Sequence, residues 1–253
     1  MRNLISISGK IGMGKDTVCS IIQYLTTKKQ SNIDCSFEEF RGSTLEMLSP
    51  YQNKKMAGKL KQVASILTGI PVNKFEDQEF KKTILGSEWN YEWNIDWEND
   101  WYPVAVGKGN RKKEEFGGGI NKMTIREFLQ KLGTDAIRNG LHEDTWLNAF
   151  WIDYKPIGGK MISPNYPKDY TSGRFEFPNW IITDCRFENE YNSVKERGGL
   201  MIKVERPSSG TDNHASETGL DSITDWDYVI QNDGTINDLI EKVKAILIKE
   251  RII

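Results

Sequence analysis

The sequence predicts an α/β fold, a parallel β-sheet with helices on both of its faces. Two patterns carry that expectation. Short apolar strands alternate with helical stretches through the last third of the chain, and near its start one apolar strand runs through a glycine-rich turn into a helix. The length of 253 residues suits one large domain of this class, or one with a long insertion.

Leu4-Ile5-Ser6-Ile7-Ser8 reads as a short buried strand, followed by a helix over 17–25 with Val18, Ile21, Ile22 and Leu25 on one face. Residues 28–44 are polar and mixed, with a strand expected near 35–37. A helix is expected over 55–67, where Met56, Leu60, Val63, Ala64 and Leu67 recur at helical spacing, and Gly69-Ile70-Pro71 stops it. The stretch 87–121 has a different composition, with Trp89, Trp93, Trp97 and Trp101 followed by Gly107, Gly109 and Gly117-Gly118-Gly119. It reads as a structural or lid-like insertion. Its flanks are acidic as often as basic, which disfavours stacking on nucleic acid.

A helical pattern over 124–139 is interrupted at Gly133, so two helices are expected to meet at Leu132-Gly133-Thr134-Asp135, with a further helix over 146–154 and a loop over 155–179. The final third then gives a strand over 180–183, a helix over 188–197 closed by Gly198-Gly199, strands over 200–205 and 228–231, and a helix over 236–248. Thr235 with Asp238 forms a capping box for that last helix, and Ile236, Leu239, Ile240, Val243 and Leu247 form its apolar stripe.

Composition narrows the class. Hydrophobic residues at 38% and charged residues at 28% suit a folded core rather than a disordered chain. A net charge of -2 lacks the basic excess that duplex binding demands, so stable nucleic-acid binding is not expected. Three cysteines, Cys19, Cys35 and Cys185, are too few and too scattered for a disulfide framework, and neither His142 nor His214 has metal-ligand spacing to a cysteine. No signal-peptide pattern and no run of about 18 apolar residues is visible, so a cytoplasmic, membrane-free protein is expected.

Gly9-Lys10-Ile11-Gly12-Met13-Gly14-Lys15-Asp16-Thr17 is the most informative stretch. It matches G-x-x-x-x-G-K between a strand and a helix, where backbone N–H groups and the helix dipole cradle a polyphosphate. Lys15 is the residue expected to follow charge on the transferring phosphoryl group. The position after the lysine is ordinarily Ser or Thr; here it is Asp16, so a metal is expected on Asp16 through water, or on Thr17. The apolar run Trp180-Ile181-Ile182-Thr183 ends on Asp184, as a Walker B strand does. Asp184 is read as a metal carboxylate, with a helix N-cap as the alternative. Arg186 is read as a phosphate clamp, with an ion pair to Glu190 as the alternative. Cys185 reads as a packed small residue.

With these residues the chain resembles the deoxynucleoside monophosphate kinases of tailed phages, over most of its length apart from about 27–54 and the Trp-rich stretch. The resemblance rests on Ser8-Gly9 through Gly14-Lys15-Asp16-Thr17; on Arg126-Glu127-Phe128-Leu129-Gln130-Lys131-Leu132-Gly133-Thr134-Asp135 followed by Trp146; on Asp184-Cys185-Arg186 with Glu190; and on Val204-Glu205-Arg206-Pro207 through His214 and Glu217 to Asn232-Asp233-Gly234-Thr235. It implies a P-loop nucleoside monophosphate kinase fold: a parallel five-stranded sheet flanked by helices, with a lid and a substrate-binding insertion. The chain is expected to be a single P-loop kinase domain over 1–253, with a helical substrate-binding region at about 50–155 that includes the Trp/Gly-rich insertion at about 87–121.

Carried over by that resemblance, Lys61, Arg126, Gly133, Thr134, Asp135, Trp146, Arg186 and Glu190 are expected to bind the monophosphate. For Trp146, base stacking and core packing both remain open; the alternatives are a solvated helix lysine for Lys61, an exposed arginine paired with Asp or Glu for Arg126, and a turn residue for Asn232. Gly9, Gly12, Met13, Gly14, Lys15, Asp16, Thr17 and Asn232 are expected at ATP; Asp16, Thr17 and Asp184 at Mg²⁺; and Lys15, Asp184 and Arg186 at the reacting phosphates. The implied reaction moves the ATP γ-phosphoryl to a deoxynucleoside monophosphate, with ATP and Mg²⁺ required and small nucleotides as partners. A homodimer is compatible with it, and a phage-encoded enzyme would work in the host cytoplasm. Alternatives are a P-loop kinase of another small metabolite, of the dephospho-coenzyme A kinase kind, and a nucleotide-binding module without transfer activity.

Overall fold

The computed structural model describes residues 2–94, 102–104, 119–157, 176–207 and 219–253. Trp97, Trp101, the glycines at 107–118, His214 and Glu217 lie outside the described residues. The chain resolves into two compact units, one made of Met1–Ala57 with Leu147–Ile253, the other of Gly58–Trp146.

The first unit carries a five-stranded sheet. Its strands are β1 (Leu4–Ser8), β2 (Tyr51–Lys54), β6 (Asn179–Ile182), β7 (Leu200–Glu205) and β8 (Tyr228–Gln231), in the spatial order β2-β6-β1-β7-β8. Every pairing is parallel, with Ile5 opposite Ile181 on one side and Leu200 on the other. All five residues of β1 are buried, because a parallel strand covered on both faces must be apolar throughout. Ile5, Ile7, Ile181, Ile202 and Val204 pack toward α1 (Lys15–Ser31) and α7 (Ile236–Lys249). Leu4, Trp180, Ile182 and Met201 pack toward α6 (Glu188–Glu196) and the end of α5 (Thr145–Trp151). Residues one apart on a strand thus feed opposite cores, as the pleat requires.

Helix ends follow their local chemistry. α1 starts after Gly14 and stops at Asn32, left-handed at φ 47, whose N–H closes on the Lys28 carbonyl. The capping box expected on the last helix is present: Asp238 N–H donates to Thr235 Oγ1 at 3.2 Å, and Thr235 N–H to Asp238 Oδ2 at 2.8 Å. Ile236, expected in the buried stripe, is 40% exposed; Ile246 is buried in the helix instead. Ile236 is the first residue of α7, ahead of the turns that lie on the sheet.

Three local expectations are corrected. The strand expected near 35–37 is a helix, α2 (Phe37–Phe40). Ser36 caps it, accepting from Glu39 N–H at 3.2 Å while the Glu39 carboxylate accepts from Ser36 N–H at 2.8 Å. Strand β2 has no counterpart in the periodicity. Its sequence Tyr-Gln-Asn-Lys is polar because it is an edge strand, and pairing with β6 alone makes it extended. The helix expected over 55–67 begins later, as α3 (Gly58–Thr68). Met56 therefore lies ahead of it and Leu67 is exposed, while Lys61 and Ala64 take the buried positions.

The second unit contains α3, a three-stranded antiparallel sheet and a helical segment. The sheet has the order β4-β3-β5, from β3 (Tyr91–Asn94), β4 (Tyr102–Val104) and β5 (Gly119–Asn121). Trp93 is thus on an extended strand. The core of this unit joins Ala64, Phe75, Leu85, Ile125 and Phe128. The two helices expected to meet at Gly133 are one continuous rod that changes pitch, from α4 (Ile125–Gln130) to a π-helix (Lys131–Asn139). Gly133 sits buried within the π segment, where a Cβ would come 2.9 Å from Leu60 Cδ2 of α3. The glycine marks a close approach of α3 and not the end of a helix.

Candidate active site

β1 and its neighbour β6 send their connections to opposite sides of the sheet: β1 leads through α1 toward β2 beyond β6, and β6 leads through α6 to β7 beyond β1. In open parallel sheets such a switch point opens a crevice at the carboxyl ends of the strands. The glycine loop leaves β1 into that crevice. Gly9 cannot carry a side chain, since a Cβ would lie 2.4 Å from the Val204 carbonyl oxygen. Gly14 has φ +99 and its Cβ would lie 2.5 Å from Asn232 Nδ2, so both backbone and neighbour exclude any other residue. Asn232 also donates from Nδ2 to the Met13 carbonyl at 2.9 Å, which pins the loop to the end of β8.

The Lys15 ammonium folds back over the loop and donates to the carbonyls of Gly9 and Lys10, the latter at 2.8 Å. Asp16 stands in the first turn of α1 with its side chain 71% exposed, and Lys55 Nζ approaches its Oδ1 at 3.8 Å. Gly12, at the loop's tip, is exposed, and Thr17 is half-buried behind Asp16.

The end of β6 is fastened to the loop by Ser8, whose hydroxyl donates to the Cys185 carbonyl at 3.0 Å. Asp184 does not cap α6; the N-cap residue is Phe187. Its two carboxylate oxygens accept from the backbone N–H groups of Met56 at 2.8 Å and Ala57 at 3.0 Å. Glu190, buried in α6, reaches back and accepts from the backbone N–H of Arg186 at 2.7 Å and of Phe187 at 3.2 Å. This holds the segment carrying Arg186 at the helix start. Burial pushes the Cys185 thiol well above its usual range, with the Glu190 carboxylate adding to it, as befits a packed residue. A pocket of about 500 Å³ opens beside the loop, and Gly9, Lys10, Met13, Arg186, Lys203 and Trp226 are among its walls. Sequence reasoning did not single out Lys203 or Trp226; they lie on β7 and on the approach to β8, with no motif of their own.

The remaining expected residues belong to the second unit. Lys61 is buried on α3 and pairs with Glu76 Oε1 at 2.5 Å. Arg126 is exposed on α4 and donates from Nη2 to Gln78 Oε1 at 3.0 Å. The two cations, far apart in sequence, are thus held by the same short stretch. Trp146 is 9% exposed, and its indole N–H donates to the Gly133 carbonyl at 2.9 Å. Thr134 is half-buried and Asp135 exposed on the π-helix.

A parallel five-stranded sheet with a glycine loop and lysine between its central strand and first helix defines a P-loop fold of the kinase kind. The chain belongs to the deoxynucleotide monophosphate kinase family, whose family model matches residues 98–243, more than half of its length. That match includes Arg126, Trp146, Asp184, Arg186 and Asn232, and leaves the glycine loop and Lys61 outside. Deoxynucleotide monophosphate kinase of Enterobacteria phage T4 is 32% identical over 128 residues, 50% of this chain and 46% of that protein. Deoxynucleotide monophosphate kinase of Escherichia phage RB69 is 31% identical over 125 residues, 49% of this chain and 45% of that protein. A protein of Acanthamoeba polyphaga mimivirus is 32% identical over 128 residues, 47% of this chain and 59% of its own length. The chain thus spans about half the length of these relatives.

Among the described residues no helix is long and apolar enough to cross a membrane, and no cluster of three or more His, Cys, Asp and Glu side chains could hold a metal ion by itself.

Proposed function

We propose that this protein transfers the γ-phosphoryl group of ATP to the 5′-phosphate of a deoxynucleoside monophosphate, releasing ADP and a deoxynucleoside diphosphate. The observation that carries the reading is the glycine loop, with the Lys15 ammonium folded over it and Asp184 and Arg186 on the segment fastened to it through Ser8. Membership of the family supports the acceptor class.

The acceptor is already an anion, so its phosphate oxygen attacks without a strong general base. The Pγ–O bond to the ADP leaving group breaks as the new one forms. The protein's task is to bring two anions together and compensate their charge. Lys15 would move with the transferring group, and Arg186 would bridge donor and acceptor phosphates. Lys61 and Arg126 would grip the acceptor phosphate, with Gly133, Thr134, Asp135 and Trp146 forming its surroundings and Glu190 holding Arg186 in place. Asn232 fixes the loop near the donor.

The oxygen donors at the loop fit Mg²⁺, which prefers carboxylates, waters and phosphate oxygens over a full protein cage. Asp16 is exposed at the first turn of α1 with Thr17 beside it, and Asp184 brings a carboxylate to the end of β6. Held by Asp16, Thr17 and Asp184, Mg²⁺ would supply charge compensation for the transferring phosphoryl group. The reaction needs water excluded from the γ-phosphate, otherwise ATP is hydrolysed.

The test is a coupled assay of ADP release over a panel of deoxynucleoside and ribonucleoside monophosphates and dephospho-coenzyme A. ADP release that depends on a deoxynucleoside monophosphate is the expected outcome. Release with dephospho-coenzyme A alone, or ATP binding without turnover, would reject the reading.

A further inference from the structure

The geometry points to a second role for Asp184: it is the positioning residue for the turn through which the chain passes from β2 into α3. Four contacts hold that turn and the strand end before it. Asp184 takes the N–H of Met56 on one carboxylate oxygen and that of Ala57 on the other. Lys55, the residue before them, pairs with Asp16 at the start of α1. Thr183, next to Asp184, donates its hydroxyl to Asn53 Oδ1 at 3.4 Å, continuing the β2–β6 register that pairs Lys54 with Ile182. Met56 itself is 2% exposed and packs in the core that contains Trp180 and Ile182.

A carboxylate accepting two adjacent backbone N–H groups is a directional clamp. Both bonds are charge-assisted, and each constrains one peptide plane. Ala57 is the last residue of the first unit and Gly58 the first of α3, the helix that carries Lys61. The clamp therefore fixes the chain at the point where it leaves the sheet for the helix bearing an acceptor-side cation. Both acidic residues that the sequence assigns to a metal, Asp16 and Asp184, hold this same three-residue turn.

The functional part of this inference rests on the proposed kinase activity; the clamp does not. Two measurements separate them. Amide hydrogen exchange in Asp184→Asn reads the clamp without any substrate. An asparagine offers one acceptor oxygen where the carboxylate offered two, and its NH₂ faces a second N–H. Exchange at the Met56 and Ala57 amides should accelerate about tenfold to a hundredfold, the equivalent of one charge-assisted bond, while Ile5 and Ile181 amides in the sheet remain protected. Unchanged exchange at both amides would overturn the clamp.

The second measurement is steady-state kinetics of Ala57→Pro, which removes one donor and leaves the Asp184 carboxylate intact. The position borders the first turn of α3, where proline is tolerated. The acceptor KM should rise about tenfold with the ATP KM and Mg²⁺ requirement unchanged. Ala57→Ser, which keeps the N–H, should retain the wild-type acceptor KM, and adding Asp184→Asn to Ala57→Pro should raise the acceptor KM by less than the product of the single effects. An Ala57→Pro protein with a wild-type acceptor KM, or strictly multiplicative effects, would overturn the positioning role even if exchange confirms the bonds. Absence of acceptor-dependent turnover in the wild-type protein would reject the proposed activity and with it the effect on KM, leaving the exchange result to decide the clamp.

Discussion

Lys15 donates to two carbonyls of the loop it follows. Lys15→Ala is expected to lower phosphoryl transfer by about 10²–10³-fold, the usual loss on removing one preorganised contact to transition-state charge. Stability should change by no more than about 0.5 kcal/mol. Turnover and thermal melting measured on the same preparation check both, and full activity in a folded Lys15→Ala protein rejects the assignment of the loop. The cysteines provide a second residue-scale test. Burial, with help from the Asp16 charge, pushes the Cys19 thiol up to about 12, and burial likewise raises Cys185. Near pH 8 Cys19 should hold roughly a thousandfold less thiolate than an exposed cysteine. Alkylation of the native protein with iodoacetamide, mapped by mass spectrometry, should label the half-buried Cys35 and spare the other two until denaturant is added.

At the scale of elements, α7 shows a local signal read directly into structure. Thr235 and Asp238 close a reciprocal cap, and the Asp238 carboxyl is held below its ordinary 3.8 by the Thr235 backbone N–H first and its hydroxyl second. A lowered carboxyl value stabilises the fold above 3.8, and that contribution is lost as pH falls below 3.8 through the lowered value. Thr235→Ala is expected to cost about 1 kcal/mol at neutral pH, as loss of an N-cap does. Urea midpoints of both proteins should differ clearly at pH 7, and most of the gap should persist below pH 3.8, because the substitution keeps the backbone N–H that is the carboxyl's first partner; a gap that vanishes would show that the cap acts only through the carboxylate. The segment from α4 into the π-helix shows the opposite relation between pattern and structure. Apolar spacing there announces a helix, and Gly133 announces a break, yet the chain continues with a wider pitch. The Trp146 indole bond to the Gly133 carbonyl and the approach of Leu60 are long-range facts that no window of that sequence contains.

On the scale of the molecule, the expected donor-side residues lie in one unit and the acceptor-side residues other than Arg186 and Glu190 in the other. The glycine loop, Asp184, Arg186 and Asn232 lie in the unit with the parallel sheet, whereas Lys61, Arg126, Gly133 and Trp146 lie in the unit Gly58–Trp146. If that division reflects the two substrates, a change at Arg126 should act on one of them only. Arg126→Ala is expected to raise the acceptor KM by about ten- to a hundredfold, the loss of a charge-assisted phosphate contact of roughly 1.5–3 kcal/mol, and to leave the ATP KM nearly unchanged. Separate titrations of the two substrates decide it; an equal rise for both would assign Arg126 a structural role through Gln78.

Local order fixed much of this protein in advance. The strand Leu4–Ser8, the glycine loop and the helix after it are legible because a buried parallel strand must be apolar throughout and a phosphate loop must be glycine-rich. The later strands Leu200–Glu205 and Tyr228–Gln231 and the capped last helix follow from short-range periodicity and capping in the same way. Tertiary structure alone decided the rest. It made an extended edge strand of Tyr-Gln-Asn-Lys by offering β6 as a partner. It buried Lys61 by placing Glu76 against it, although an isolated lysine on a helix reads as solvated. It also turned the Asp184 carboxylate toward the amides of Met56 and Ala57, 128 and 127 residues away in the chain. Periodicity reports which side of an element is apolar; it does not report which distant polar group completes a hydrogen bond, because that partner is chosen by the packing of the whole sheet.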